Sequence, residues 1–290
     1  THGSFAAFMT LLESGDEAIL LDPHYPQHVG KIELAGARPV MVPLDAADSF
    51  KIRADWIEAA ITTRTRAIIL VNPANPTGRP YQREELEALA EVAIRHDLVV
   101  VSDEVYEFVL YERGRHISIA SLPGMAERTV SLFAFTKAYA MDGWRLGYAV
   151  APPGIMQGMI KIATNEVTHV NTFIQYGALE AVINGQAAME AMLDDDRRKR
   201  DLMVGRLNQM PGVRCPVPDA TIYAFPDIRG TGKTSQELAE LILCDAHVVV
   251  EAGSFYGPAG EGHLRLCFGS ESYERIDEAM TRISHVLNRI

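Results

Sequence analysis

The feature that most constrains this chain is an alternation: through its first half, short apolar runs of strand type are separated by segments of helical length. The runs are AILLDP (18–23), PVMVPL (39–44), AIILVN (67–72), LVVVSDE (98–104), TVSLFAF (129–135) and LGYAVAP (146–152), and several end in Asp, Asn or Pro. Runs that are apolar at successive positions belong to strands covered on both faces. Between two of them, residues 82–96 put Leu86, Leu89, Ala90 and Ala93 on one side of a helix. This βαβα order predicts an α/β fold, a three-layer α/β/α unit around an open, mostly parallel sheet. Ligands of such sheets bind at the carboxyl ends of the strands, where the polar residues of this chain collect.

From about Gly154 the pattern turns to long helical stretches that end in a charged segment, 188–210. Its DDDRRKR run reads as a solvated helix face on which Asp194 is spaced to pair with Arg198. Beyond Pro211 and Gly212, strand candidates at 221–228, 247–256 and 263–269 and a closing helix at 272–287 describe a smaller α+β region. The expected division is a large domain, 1–190, and a small C-terminal domain, 191–290.

A length of 290 residues suits two such domains. The net charge of -11 gives no general attraction to phosphate backbones or anionic lipid, so neither nucleic acid nor membrane is an expected partner. Anionic small molecules must then be met by individual arginines. Cys215, Cys244 and Cys267 are widely spaced and odd in number, which points to reduced thiols rather than a disulfide framework or a zinc site. No run has the eighteen or more apolar residues of a membrane span, and no signal peptide is visible. A cytoplasmic protein is expected. The chain starts at Thr1, and THGSFAAF reads as the middle of a strand-to-helix connection, so further residues are expected upstream.

Several familiar signatures fall away. Gly230 to Thr234 (GTGKT) resembles the end of a phosphate-binding loop, but Asp227 stands where its first glycine belongs and would repel phosphate. His24 and His28 are four apart, yet Pro26 interrupts them and no metalloprotease glutamate follows His24, so no metal is expected there. The spacing in Gly253 to Gly257 (GSFYG) is not that of a nucleophile elbow.

What remains is a set of polar residues at strand ends. Lys137 sits directly after TVSLFAF, among apolar and small residues, and eight positions before Arg145. Such a lysine either snorkels to water or is desolvated for chemistry. Asp103 emerges from LVVVS and needs a cationic partner to stay ionised, unless it caps a helix. Asn75 lies in NPANPTG (72–78), a turn stiffened by prolines and ended by a glycine. Tyr106, three residues past Asp103, shares its side if a helical turn begins there and is otherwise a core residue.

The segments GSFAA, NPANPTG, SDEVYE, FTKAYAMDGWRLGY and EGHLRLCFG, in this order and spacing, resemble the class I/II aminotransferases, the fold-type-I enzymes that depend on pyridoxal 5'-phosphate. The resemblance covers the whole chain and implies transfer of an amino group between an L-amino acid and a 2-oxo acid by ping-pong half-reactions. It leaves two alternatives: a C–S lyase or β-eliminating enzyme on the same fold, and a truncated, non-catalytic relative. Lys137 matches the lysine that holds the cofactor as a Schiff base and then moves the substrate proton. Asp103 matches the carboxylate that keeps the pyridine nitrogen protonated, and Tyr106 and Asn75 match donors to the phenolic oxygen. Tyr25 matches the aromatic lid over the ring. Gly3, Ser4 and Phe5 match the phosphate loop at a helix start, with Arg145 as a clamp and Thr136 as a hydroxyl donor. Arg265, together with Asn75, matches the grip on the substrate α-carboxylate, and a homodimer with its active site near the interface is implied.

Departures from the family pattern stand out. Asp142 occupies the place of a common threonine close to the phosphate arginine, and Ala134 stands where some members have serine. The family's arm, first helix and first large-domain strand would precede Thr1. Phe5 in the phosphate loop, where enzymes that take aspartate tend to keep a basic group nearby, points toward neutral or aromatic substrates.

Overall fold

The computed structural model describes residues 1–111 and 116–289. In chain order the helix α1 (His2–Leu11) is followed by β1 (Glu17–Asp22), α2 (Pro26–Leu34), β2 (Arg38–Pro43), α3 (Ala54–Ala60), β3 (Thr65–Val71), α4 (Arg83–Arg95), β4 (Val99–Asp103), β5 (Thr129–Ala134) and β6 (Gly147–Val150). These strands form one sheet in the order β2-β1-β3-β4-β5-β6, parallel except for the antiparallel edge strand β6. Each expected strand is present within a residue or two of its apolar run.

The run AILL (18–21) is apolar throughout because its two faces serve two cores. Side chains alternate across a strand, so Ile19 and Leu21 join Ile68, Leu70 and Val100 on one face, under Ile57 of α3 and Leu86, Leu89 and Ala93 of α4. Ala18 and Leu20 join Ala67, Ile69, Val101 and Val130 on the other, under Phe8 of α1, Ile32 of α2 and Met159. Each Leu or Ile so enclosed contributes on the order of 1.5–3 kcal/mol. The α4 stripe is buried at all four positions expected from its spacing. Its start is fixed by Glu85, which accepts the Gln82 amide at 2.9 Å and binds the Arg79 guanidinium through two 2.7 Å contacts. Arg79 follows the 72–78 turn, so the helix start also anchors that turn.

Three further helices follow, α5 (Pro153–Glu166), α6 (Thr172–Asn184) and α7 (Gln186–Leu207). The 190/191 division expected from the sequence falls inside α7 rather than in a connection. On its charged face Asp194 pairs with Arg197, and Arg198 with Asp195, at 2.9 and 2.8 Å. The expected Asp194–Arg198 pair is thus replaced by pairs three residues apart.

The rest of the chain builds a three-stranded antiparallel sheet from β7 (Tyr223–Ala224), β8 (Glu251–Ala252) and β9 (Leu264–Cys267), in the order β7-β9-β8, with α8 (Ser235–Leu241) and α9 (Tyr273–Leu287). These strands are shorter than their apolar runs suggested. The stretch before β8 leaves the sheet at His247, whose φ of 55° is left-handed, and Val249 is exposed. In α9, Ile276, Met280, Ile283 and Leu287 recur at helical spacing on the buried face, and Ser272 caps its start. The core of this region takes in Met203 and Leu207 of α7 and also Tyr106, Val109 and Tyr111, which follow β4. Among the described residues no helix is long and apolar enough to cross a membrane.

Candidate active site

The carboxyl ends of β1, β3, β4 and β5 lie along one edge of the parallel sheet, and Arg265 and Ala259 of the C-terminal region reach that edge. Asp103 is the last residue of β4. Its Oδ2 lies 3.2 Å from Nε2 of His28, a fully buried residue of α2. Burial works against the charge on Asp103, but the His28 contact outweighs it and holds the carboxyl below its ordinary range. Burial pushes the His28 imidazole down in turn, with Asp103 opposing. The contact thus favours the ionised carboxylate, while burial disfavours the imidazolium. His28 meets the rings of Phe8 and Tyr25 edge-on at 5.6 and 5.3 Å, which fixes its plane. Tyr25 is the residue from which α2 starts, so one helix carries both Tyr25 and the partner of Asp103.

Lys137 occupies the turn after β5, half-buried, with its Nζ 6.0 Å from the centre of the Tyr106 ring. Among the described residues neither its amine nor the hydroxyl of Thr136 has a hydrogen-bond or ion-pair partner. Tyr106 follows Asp103 in a turn and is buried, and its hydroxyl donates to that of Tyr223 at 3.1 Å. Burial and the Tyr223 hydroxyl raise its pKa well above the ordinary value, so it remains a protonated donor.

Asn75 is buried in the 72–78 turn, and its Oδ1 accepts from Nη1 of Arg265 on β9 at 3.1 Å. The guanidinium lies 4.0 Å from the centre of the Tyr223 ring and 4.9 Å from that of Tyr256. Gly78 closes the turn with φ 70°, where an added Cβ would stand 2.5 Å from Pro218 and 3.1 Å from the carbonyl oxygens of Ala220 and Tyr223. A side chain there would push the two sheets apart. A second link runs from Asp22 at the end of β1, which accepts the Ala259 amide at 3.1 Å, while the amide of His24 donates to Tyr256 at 2.8 Å.

At the start of α1 the first intrahelical bond is made by the Phe5 amide to Thr1, at 3.1 Å. The amides of Gly3 and Ser4 therefore precede the hydrogen-bonded ladder and face outward, whereas that of Phe5 is committed to it. The Ser4 hydroxyl receives Nζ of the buried Lys31 at 3.0 Å. Arg145 is exposed with φ 55°, and its guanidinium donates to the backbone carbonyl of Asp142. The exposed Asp142 carboxylate makes no ion pair with it among the described residues.

The sequence of the family described as "Aminotransferase class I and II" matches this chain over residues 1–283. The chain belongs to the class I and II aminotransferases. An aspartate aminotransferase of Pyrococcus abyssi is 41% identical over 278 residues, 95% of this chain and 71% of that protein. An aromatic-amino-acid aminotransferase 2 of Thermococcus litoralis is 39% identical, covering 96% and 72% of the two chains. The crystal structure of an aromatic aminotransferase from Pyrococcus horikoshii superimposes with a TM-score of 0.95 at 40% identity, over 98% of this chain and 76% of that one. These aminotransferases depend on pyridoxal phosphate and act on amino acids and 2-oxo acids.

The donor set of this aminotransferase fits that cofactor. An ionised carboxylate suits a protonated pyridine nitrogen, an amine without an acidic partner suits an aldehyde, and outward amides at a helix start suit a phosphate. The buried Nε of Arg265, which has no acceptor, suits a substrate carboxylate. The sequence reading assembled most of these residues but left out His28, Lys31, Tyr223 and Tyr256. The need of Asp103 for a partner signalled that such a residue exists without saying that it is His28. Nothing local marked Lys31, Tyr223 or Tyr256, because their roles depend on which elements meet.

Proposed function

We propose that Lys137, Asp103 and Tyr106 carry the aminotransferase reaction in this chain, on a neutral or aromatic L-amino acid and a 2-oxo acid acceptor. The observation that carries this reading is the placement, at neighbouring strand ends, of the Asp103 carboxylate against His28 and of a Lys137 amine that has no ion-pair partner among the described residues. Pyridoxal phosphate, when bound, supplies the electron sink for the charge left as a proton departs from the substrate α-carbon. The Lys137 amine would hold the cofactor and, when free, would move the proton at the substrate α-carbon. Asp103, with His28 behind it, would keep a proton on the ring nitrogen. With the cofactor bound, Asn75 and Tyr106, whose hydroxyl proton would turn away from Tyr223, would donate to its phenolic oxygen, and Tyr25 would cover the ring. Gly3, Ser4, Phe5, Thr136 and Arg145 form the phosphate side, where Gly3 and Ser4 offer amides and Phe5 shapes the pocket. Lys31 adds a buried positive charge beside Ser4. Arg265 and Asn75 hold the α-carboxylate, and the rings of Tyr25, Tyr223 and Tyr256 favour an uncharged side chain.

The chain then works as a large cofactor-binding part, 1–190, and a small part, 191–290, joined through α7. A homodimer is part of this reading. It is supported by the apolar side chains that α5 and α6 expose, among them Ile160, Phe173, Tyr176, Leu179 and Ile183. A cytoplasmic location fits three free cysteines.

Borohydride reduction of the cofactor-loaded, yellow protein, followed by peptide mapping, tests the assignment. The label is expected on Lys137. Label on Lys31, the other lysine at the site, would overturn it. Given an amino acid alone, the loaded protein should convert its cofactor to the amino form and release one 2-oxo acid.

A further inference from the structure

The carboxylate-binding arginine already holds a carboxylate. Glu251 on β8 and Arg265 on β9 are directly opposed in the antiparallel register. Oε2 of Glu251 takes both Nη2 of Arg265 and the hydroxyl of Tyr256. Nη1 is bound to Asn75, and Nε is buried without an acceptor. The resident carboxylate therefore satisfies the guanidinium through one nitrogen only and leaves a second donor unmet. The two side chains also differ in access: Arg265 is 15% exposed, whereas Glu251 is 40% exposed and reaches in from the rim.

We propose that Glu251 is an internal competitor for the substrate α-carboxylate, a latch that occupies Arg265 until substrate displaces it. The proposal rests on the reading of Arg265 as the carboxylate site. An incoming carboxylate can engage Nη2 and the unmet Nε together, a two-point contact that the single Glu251 oxygen does not make. Glu251 has an exit, because its outer part already meets water. If it stays close instead, its charge repels the arriving anion, and the sign of the effect is the same. Being tethered on the neighbouring strand, Glu251 competes at a high effective concentration. Amino acid and 2-oxo acid both carry the α-carboxylate, so both half-reactions bear the same factor, and Glu251 sets the working concentration range of the enzyme without touching the reacting atoms.

The test uses the cofactor-loaded full chain and 3-phenylpropionate, a carboxylate that cannot react, titrated by calorimetry. Glu251→Gln keeps the shape and removes the charge. Binding is expected to tighten about 10-fold, the factor for a competent fraction of about one tenth. KM for amino acid and for 2-oxo acid should fall by one common factor with kcat little changed. Tyr256→Phe, which releases one of the two groups holding Glu251, should move binding in the same direction by less. Unchanged or weaker binding in Glu251→Gln overturns the latch, as does a KM shift for only one of the two substrates. Arg265→Gln separates the two readings. If it leaves 3-phenylpropionate binding intact, the Arg265 assignment itself fails and the latch with it; if it abolishes binding while Glu251→Gln changes nothing, only the latch fails.

Discussion

The two ends of the large sheet carry similar chemical groups put to opposite use. At the amino end, the buried carboxylate of Glu17 receives Arg38 at 2.6 Å, Arg64 at 2.7 Å and the Thr62 hydroxyl at 2.7 Å, and Asp16 beside it receives Arg66 and the Glu13 amide, each at 3.0 Å. At the carboxyl end, Asp103 has His28, but among the described residues Nδ1 of His28 and Nε of Arg265 have no hydrogen-bond partner and the Lys137 amine has no acid. Saturating a buried carboxylate locks strands together. Leaving buried polar groups short of partners costs stability and makes a place a ligand can complete. A single sheet thus separates its structural charges from its chemical ones by the length of its strands.

Substitutions at the two ends should divide cleanly between activity and stability. Lys137→Ala should lower turnover by on the order of 10⁴-fold while the unfolding midpoint hardly moves, because an unpaired amine is lost; single-turnover kinetics and thermal denaturation read the two effects. Asp103→Asn should cost about 10²- to 10⁴-fold in turnover and lower stability only modestly, since the His28 contact that holds its carboxyl below the ordinary range is weakened. A large fall in its unfolding midpoint would show that the carboxyl end is also structural. Glu17→Gln should do the reverse, costing about 1–2 kcal/mol in denaturant unfolding, because its arginines are exposed and regain water, with kcat unaltered. The smallest effect concerns acid. Hydrogen bonds from Thr62 and Arg38 hold the Glu17 carboxyl down at about 2, against an ordinary 4.5. The depressed value means that its stabilisation is complete above about pH 4.5 and fades as the pH falls toward 2. Over that window wild type and Glu17→Gln should converge in stability; curves that stay parallel would remove Glu17 from the structural set.

The strands of the large sheet were legible because each is a dense apolar run, and α4 because its stripe keeps helical spacing. The strands of the small sheet were overread. The run HVVV before β8 is as apolar as any true strand, but the left-handed His247 and the exposed Val249 take it out of the sheet, and two-residue overlaps leave β7 and β8 short. Of the proposed site, Lys137, Asp103, Asn75 and Arg265 stand in motifs with local spacing, which is why the sequence singles them out. His28 was first weighed as half of a metal pair with His24, yet it faces Asp103, 75 positions away in the chain. Tyr223 and Glu251 acquire meaning only through pairings across β7, β8 and β9, which one-dimensional spacing does not contain.

The core that unites Tyr106, Val109 and Tyr111 with Met203, Leu207, Phe268 and Met280 has a practical meaning for anyone dividing the chain. A cut at residue 190 would leave three side chains of the amino-terminal piece, one of them a site tyrosine, without the wall they pack against. The corresponding carboxyl-terminal piece would keep its sheet and lose part of its filling. The halves of this polypeptide are thus poor candidates for separate expression and good ones for split-reporter designs, where each piece remains silent until the other restores its missing face.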